Sequence, residues 1–355
     1  MNKIIKLIYL LLLLILNFSC FEKKSTVKET SKLKLVATSK TDTLKFKSGI
    51  RAIFQDRKGN YWFGSHNEGV SVYNGKYFEY FTTNQGLREN QILSIQEDEN
   101  GRIWFESQNG VSSYDGKTIQ DETSGITENY KAEWMKSDTD LWFGAGIKEG
   151  VYRFDGHILS YLAFPKPKTS NPNNLYGVTS FSKGKNNMIW FGTYAGVFGY
   201  NGKEFKIIND ETLGLNIEVE PLHIRSILED SKGRLWIGNN GIGVLLMEDN
   251  ATINFSEKNQ LIHPSSTRRG DKSKPGTLEH VFAIEEDSEG NIWFGDRDTG
   301  AWKYDGKKVT NYSIANKYSS PMIWTIYKDN KNNLLFGMSD GSIFKFNGKA
   351  FEKQF

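Results

Sequence analysis

One short phrase recurs seven times along this chain and constrains its fold more than any other feature. An aromatic pair followed by glycine stands at Trp62-Phe63-Gly64, Trp142-Phe143-Gly144, Trp190-Phe191-Gly192 and Trp293-Phe294-Gly295. It returns in altered form at Trp104-Phe105-Glu106, Trp236-Ile237-Gly238 and Leu335-Phe336-Gly337. A second phrase follows each copy. Residues 69–76, 110–117, 150–157, 196–203 and 300–307 run from a glycine to a Tyr or Phe and then an Asx-Gly pair. In the fifth copy, residues 243–250, that turn is lost, and the seventh, residues 341–349, is one residue longer. A fixed-order repeat of about 45 residues is one supersecondary unit stacked many times.

The second copy shows the unit. Residues 91–96 predict an apolar strand, and residues 98–101 a turn with glycine at a left-handed position. Residues 103–105 open a second strand and residues 110–114 form a third. Asp115-Gly116 is a two-residue hairpin turn, and residues 117–120 begin a fourth strand. Neighbouring strand residues point to opposite faces, so an adjacent Trp and Phe require both faces of each sheet to be buried. Seven four-stranded antiparallel sheets arranged radially satisfy that demand, which predicts an all-β, seven-bladed β-propeller. An open β-solenoid is the alternative, but its coils are usually shorter than this repeat. The innermost strand carries a small residue in every copy: Ala52, Ser94, Ala132, Ser180, Ser226, Ala283 and Thr325. Blades converge at the axis, so small side chains there are expected for packing.

The first 19 residues read as an export signal. Lys3 and Lys6 precede an unbroken apolar run over residues 7–16, too short to span a bilayer comfortably. Cys20, the only cysteine, follows directly and resembles the acylated cysteine of bacterial lipoproteins. Residues 20–43 read as a lipidated cysteine and a flexible tether with a mean reach of roughly 25 Å. Residues 44–355 are the expected propeller. With Cys20 assigned to lipid, neither disulfides nor a thiol metal site are expected. Removing Lys3 and Lys6 takes the formal charge from +3 to +1, which argues against a nucleic-acid footprint. No later segment is apolar enough for a transmembrane helix, so the folded part is expected on one side of the membrane.

The order Asp-x-x-Gly, Trp-Phe-Gly, Gly-Val-x-x-Tyr-Asp-Gly resembles the two-component regulator propeller repeat. That repeat builds periplasmic sensor regions of bacterial hybrid histidine kinases, and the resemblance covers roughly residues 47–355. Members that signal directly carry two propellers, a transmembrane helix and kinase domains, so this sequence is read as a stand-alone propeller. The resemblance implies a sensor or scaffold in the cell envelope that binds a small molecule, an oligosaccharide or a membrane signalling protein, without a cofactor. The alternative is a lyase similar to the streptogramin lyases, using histidines at the channel mouth.

Candidate site residues follow from the places where the copies disagree. Loops entering the inner strands and loops joining second to third strands open on one face. The long segments 82–90, 165–174, 209–221 and 257–277 lie there, and lengthened loops on a rigid scaffold carry function. The inner strands begin with Gly49, Gln91, Asn129, Gly177, His223, His280 and Met322. His223 and His280 therefore occupy the same place on adjacent blades, and His66 and His263 join them on that face. Paired imidazoles bind anions, shuttle protons or hold metals; solvated loop histidines are the plain alternative. No carboxylate is clearly placed to complete a metal site, so none is assigned. A nearby variable slot holds Arg51, Leu93, Lys131, Thr179, Arg225, Phe282 and Trp324. Its cations, with Trp324, Tyr176 and Tyr194, suit an acidic or sugar-like ligand. Packing of the aromatics between blades is the plain reading. The Asp-x-x-Gly segments are expected to be turns, since the glutamate of a calcium loop is missing. Glu106, the one replacement of the repeat glycine, either reaches the channel or is a tolerated surface side chain, and the surface placement is the expectation. No nucleophile elbow, phosphate loop or zinc motif is present, and no catalytic residue is assigned.

Overall fold

The computed structural model describes residues 40–126, 132–167, 175–248, 251–314 and 321–355. Cys20, Asn129 and Lys131 lie outside them. The described strands form seven antiparallel sheets, each in simple sequential order. Blade 1 comprises β1 (Ile50–Gln55), β2 (Tyr61–Ser65), β3 (Val70–Tyr73) and β4 (Phe78–Phe81). Blade 2 comprises β5 (Ser94–Glu97), β6 (Ile103–Ser107), β7 (Gly110–Tyr114) and β8 (Ile119–Asp121). Blade 3 shows three strands among the described residues, β9 (Leu141–Gly144), β10 (Gly150–Phe154) and β11 (Leu159–Ala163). The inner strands of blades 4 to 7 are β12 (Val178–Lys183), β16 (Ile224–Glu229), β20 (Val281–Glu286) and β24 (Ile323–Lys328). Each is followed by three further strands, ending with β27 (Phe351–Gln354). The protein is a seven-bladed β-propeller.

The Trp-Phe phrase is the joint between blades. Five of its six tryptophans meet the phenylalanine of the next copy: Trp62 and Phe105 lie 5.7 Å apart, Trp104 and Phe143 5.9 Å, Trp142 and Phe191 5.3 Å. Trp236 and Phe294, and Trp293 and Phe336, are each 5.6 Å apart. Trp190 packs with Ile237, and Leu335 with Phe63, in their own clusters. Opposite-face projection thus lets each blade grip both neighbours.

The Asp-x-x-Gly segments do more than turn the chain. Asp56 accepts the backbone N–H groups of Lys58 and Asn60 and, at 2.9 Å, the indole N–H of Trp62. Asp98 does the same for Trp104, Asp230 for Trp236 and Asp287 for Trp293, at 2.8–2.9 Å. A buried indole N–H needs a partner, and the turn aspartate six residues earlier supplies it.

The repeat glycine is required by the neighbouring blade. A Cβ added to Gly64 would lie 2.6 Å from Ile92, and one on Gly295 2.7 Å from Ile323. The small inner-strand residue pairs with this glycine in register, as Ala52 with Gly64 and Ala283 with Gly295.

Blades 1 and 7 are each built from one continuous segment, so among the described residues no shared strand latches the ring. Side chains close it. Tyr61 donates to Asp329 at 2.8 Å, the Gln55 N–H donates to Tyr327 at 2.9 Å, and the Asn330 N–H donates to Gln55 at 3.1 Å. The Phe355 ring sits 5.0–6.1 Å from those of Tyr61, Phe63, Tyr73 and Phe78. Before blade 1, Thr41 pairs through its backbone with Phe78 on the blade's outer edge. Among the described residues no helix is long and apolar enough to cross a membrane.

Candidate functional site

The inner strands share a defect that aims side chains into the channel. In β1, Ile50 pairs with Ser65 and Ala52 with Gly64, leaving Arg51 as the extra residue of a β-bulge. The same shift isolates Thr179 in β12, Arg225 in β16, Phe282 in β20 and Trp324 in β24. A bulge re-aims a side chain and is common beside functional sites. The variable slot expected from the sequence is this bulge position. Arg51, Leu93, Thr179, Arg225, Phe282 and Trp324 all line one cavity of about 890 Å³.

Two guanidiniums face this cavity across aromatic rings. Arg51 lies 4.3 Å over Trp324, and its Nη1 donates to His66 Nδ1 at 3.3 Å. His66 stacks on the same tryptophan at 5.8 Å. Arg225 lies 4.8 Å from the Phe282 ring and 5.2 Å from the Tyr194 ring. Phe282 meets Trp324 edge-on at 5.5 Å, so the two cationic stations adjoin. Burial, and next the charge of Arg225, push the Arg51 pKa down to about 10. Burial also lowers that of Arg225, whose buried Nε has no hydrogen-bond partner. Neither guanidinium has a carboxylate in ion-pair contact among the described residues.

The histidines divide. His66 borders the cationic station, and burial followed by the Arg51 charge holds its pKa below the ordinary value. His223 lies 5.4 Å from Tyr194, with Nδ1 3.4 Å from the Asn240 amide. Burial, then Arg225 and His280, lower its pKa to about 4, so it is neutral near pH 7. His280 corrects the expectation of an exposed loop histidine. It is fully buried, and its Nε2 donates at 2.7 Å to the Asp271 carbonyl. It therefore pins the long loop before blade 6. Tyr176 is also buried and packs edge-on against Phe198 at 5.6 Å, although it lines the cavity. Among the described residues, no group of three His, Cys, Asp or Glu side chains is placed to hold a metal.

Glu106 takes the channel placement and not the expected surface one. It is 3% exposed, not a surface side chain, and it lines the cavity wall. It pairs with Ser94 in register, where other blades pair a small residue with glycine. Ser94 Oγ donates to its carboxylate at 2.6 Å, and the Gly144 N–H of blade 3 donates as well. Burial pushes its pKa up to about 7 against the opposing pull of those two donors and of Arg51. The signal was present as the single departure from a six-fold glycine. What the sequence lacked was the place of that position beside the axis.

The bulged inner strands of this seven-bladed propeller present cations and aromatic rings to one axial cavity. Residues 46–67, 86–105, 220–241 and 276–298 match the family described as Two component regulator propeller. The chain resembles the extracellular domain of a B. thetaiotaomicron protein described as a hybrid two component system, with 21% identity and a TM-score of 0.61, over 88% of this chain. The chain spans 42% of that domain's length. It is also similar to virginiamycin B lyase from Staphylococcus aureus, with 15% identity and a TM-score of 0.60, over 87% of this chain and 98% of the lyase. A second B. thetaiotaomicron extracellular domain, described as a one component system, gives 20% identity and a TM-score of 0.58, over 87% of this chain and 39% of that domain. No curated protein matches the chain.

Proposed function

We propose that the chain is a sensor-type propeller module of the cell envelope that binds an acidic small molecule or oligosaccharide in its axial cavity. The carrying observation is the convergence of Arg51 and Arg225 on one cavity without ion-pair partners. Half-buried cations left without a counter-charge cost stability, and an anion entering between them would offset that cost. Trp324, Phe282 and Tyr194 hold the two guanidiniums at the cavity wall by cation–π contact. Envelope placement is supported by the apolar run and Cys20, and by likeness to extracellular propellers. The signal it transmits would pass to a membrane signalling partner.

The test is a thermal-shift and calorimetric screen of acidic and neutral saccharides against the mature domain. Acidic probes are expected to stabilise the wild type, by about 3 kcal/mol at one hundred times Kd. The effect should vanish in Arg225→Gln and Arg51→Gln. If no acidic probe binds while pull-downs recover a single membrane protein, the module is a scaffold. Loss of membrane association in Cys20→Ala would test the lipid anchor. The lyase reading draws on no specific observation here, because His280 is locked under its loop. Turnover abolished by His223→Ala would revive it.

A further inference from the structure

Five charged side chains line the axial cavity among the described residues, Arg51, Glu106, Glu149, Lys183 and Arg225. None forms an ion pair among the described residues. Glu106 is the odd member, since six of the seven blades place glycine at its position. Gly64, Gly192, Gly238, Gly295 and Gly337 have no room for a Cβ, because an inner-strand side chain of their own or the next blade comes within 2.6–2.8 Å of where it would be. Blade 2 alone combines space for a side chain with a carboxylate to fill it. An ionised carboxylate has about four acceptor sites. Ser94 Oγ and the Gly144 N–H use two, leaving capacity for donors that enter the cavity.

Resting on the anion-binding reading above, we propose that Glu106 is the specificity-determining residue of the channel. It accepts hydrogen bonds from ligand hydroxyls while Arg51 and Arg225 hold a carboxylate, so that the site selects a sugar acid over a simple inorganic anion. At about pH 8, where Glu106 is ionised and where the probes below are compared, a bare oxyanion such as sulfate has no donor to offer it and meets its repulsion. A neutral sugar offers donors but leaves both guanidiniums unpaired. Only a hydroxylated carboxylate satisfies all three groups.

The test measures binding of D-glucuronate, D-glucose and inorganic sulfate by titration calorimetry or ligand-observed NMR. Wild type, Glu106→Gln and Glu106→Gly are compared. Gln preserves both protein contacts, its Oε1 accepting from Gly144 and its Nε2 donating to Ser94; Gly restores the repeat residue. Thermal unfolding confirms that each variant is folded. Wild type is expected to prefer glucuronate to both other probes. The glucuronate-to-sulfate affinity ratio should fall by about tenfold or more in Glu106→Gly, the loss expected for one charge-assisted hydrogen bond. It should fall part of the way in Glu106→Gln. An unchanged ratio in both variants, or a wild type that prefers sulfate, overturns the role of Glu106 and leaves the anion site standing. If wild type binds neither anion, the anion site itself fails, and this inference fails with it.

Discussion

Replacing Glu106 with glutamine should stabilise the protein at high pH much more than at low pH. The carboxyl has an ordinary pKa of 4.5 and is pushed up to about 7 in the folded state. The folded state therefore holds its proton more tightly than the unfolded chain does. Its contribution to stability is fully present below the unfolded pKa and is lost as pH rises through the folded one. The loss falls between 4.5 and about 7 and is complete above that window. At about 1.4 kcal/mol per pH unit, removing this buried proton costs roughly 3–4 kcal/mol. Glutamine is neutral at every pH and keeps the Ser94 and Gly144 contacts, so it escapes the cost. Urea unfolding at about pH 4.5 and pH 8, followed by tryptophan fluorescence, measures the difference directly. Changes in other groups cancel between the two proteins. An advantage for Glu106→Gln of the same size at both pH values would refute the buried-carboxyl argument, whatever ligand the channel takes.

Three further outcomes follow from the packing. Asp230→Ala removes the acceptor for the Trp236 indole and for the Lys232 and Arg234 backbone N–H groups, and should cost about 3–5 kcal/mol in chemical unfolding. Although burial opposes ionisation, hydrogen bonds from Trp236 and Arg234 hold the Asp230 pKa below its ordinary 3.8, so its stabilisation is present above that value and lost as pH falls through the folded one. Ala283→Leu overpacks a position that is 5% exposed and paired with Gly295; a thermal shift equivalent to about 1–3 kcal/mol is expected, and an unchanged melting temperature would count against the crowded-axis argument. Phe355→Ala empties the aromatic seat between blades 7 and 1 and should cost about 1–2 kcal/mol, with limited proteolysis showing faster cleavage because no shared strand among the described residues backs up that joint.

Much of the scaffold was legible in residues. Trp-Phe adjacency required two buried faces, and each tryptophan does meet the next blade. The Asp to Trp spacing of six, at Asp56–Trp62, Asp98–Trp104, Asp230–Trp236 and Asp287–Trp293, is equally visible in the sequence but by itself specifies only a turn. The site was harder to read. The variable slot was found by alignment, yet its inward aim comes from a bulge, which depends on the pairing of two strands. His223 and His280 share a repeat position, but only the folded loop before blade 6 buries one and leaves the other beside Tyr194.

The sequence alone determined the number of blades, their four-strand plan and the need for small residues near the axis. These are local or periodic properties, and each copy repeats the same side-chain geometry. Tertiary structure decided which departures from the repeat matter. The repeat glycine is forced by an inner-strand neighbour that the linear chain does not reveal. The same contact explains why a glutamate in that place lies in the channel and not on the surface. Arg51 and Arg225 come from blades 1 and 5, and only closure of the ring brings their charges into one low-dielectric cavity.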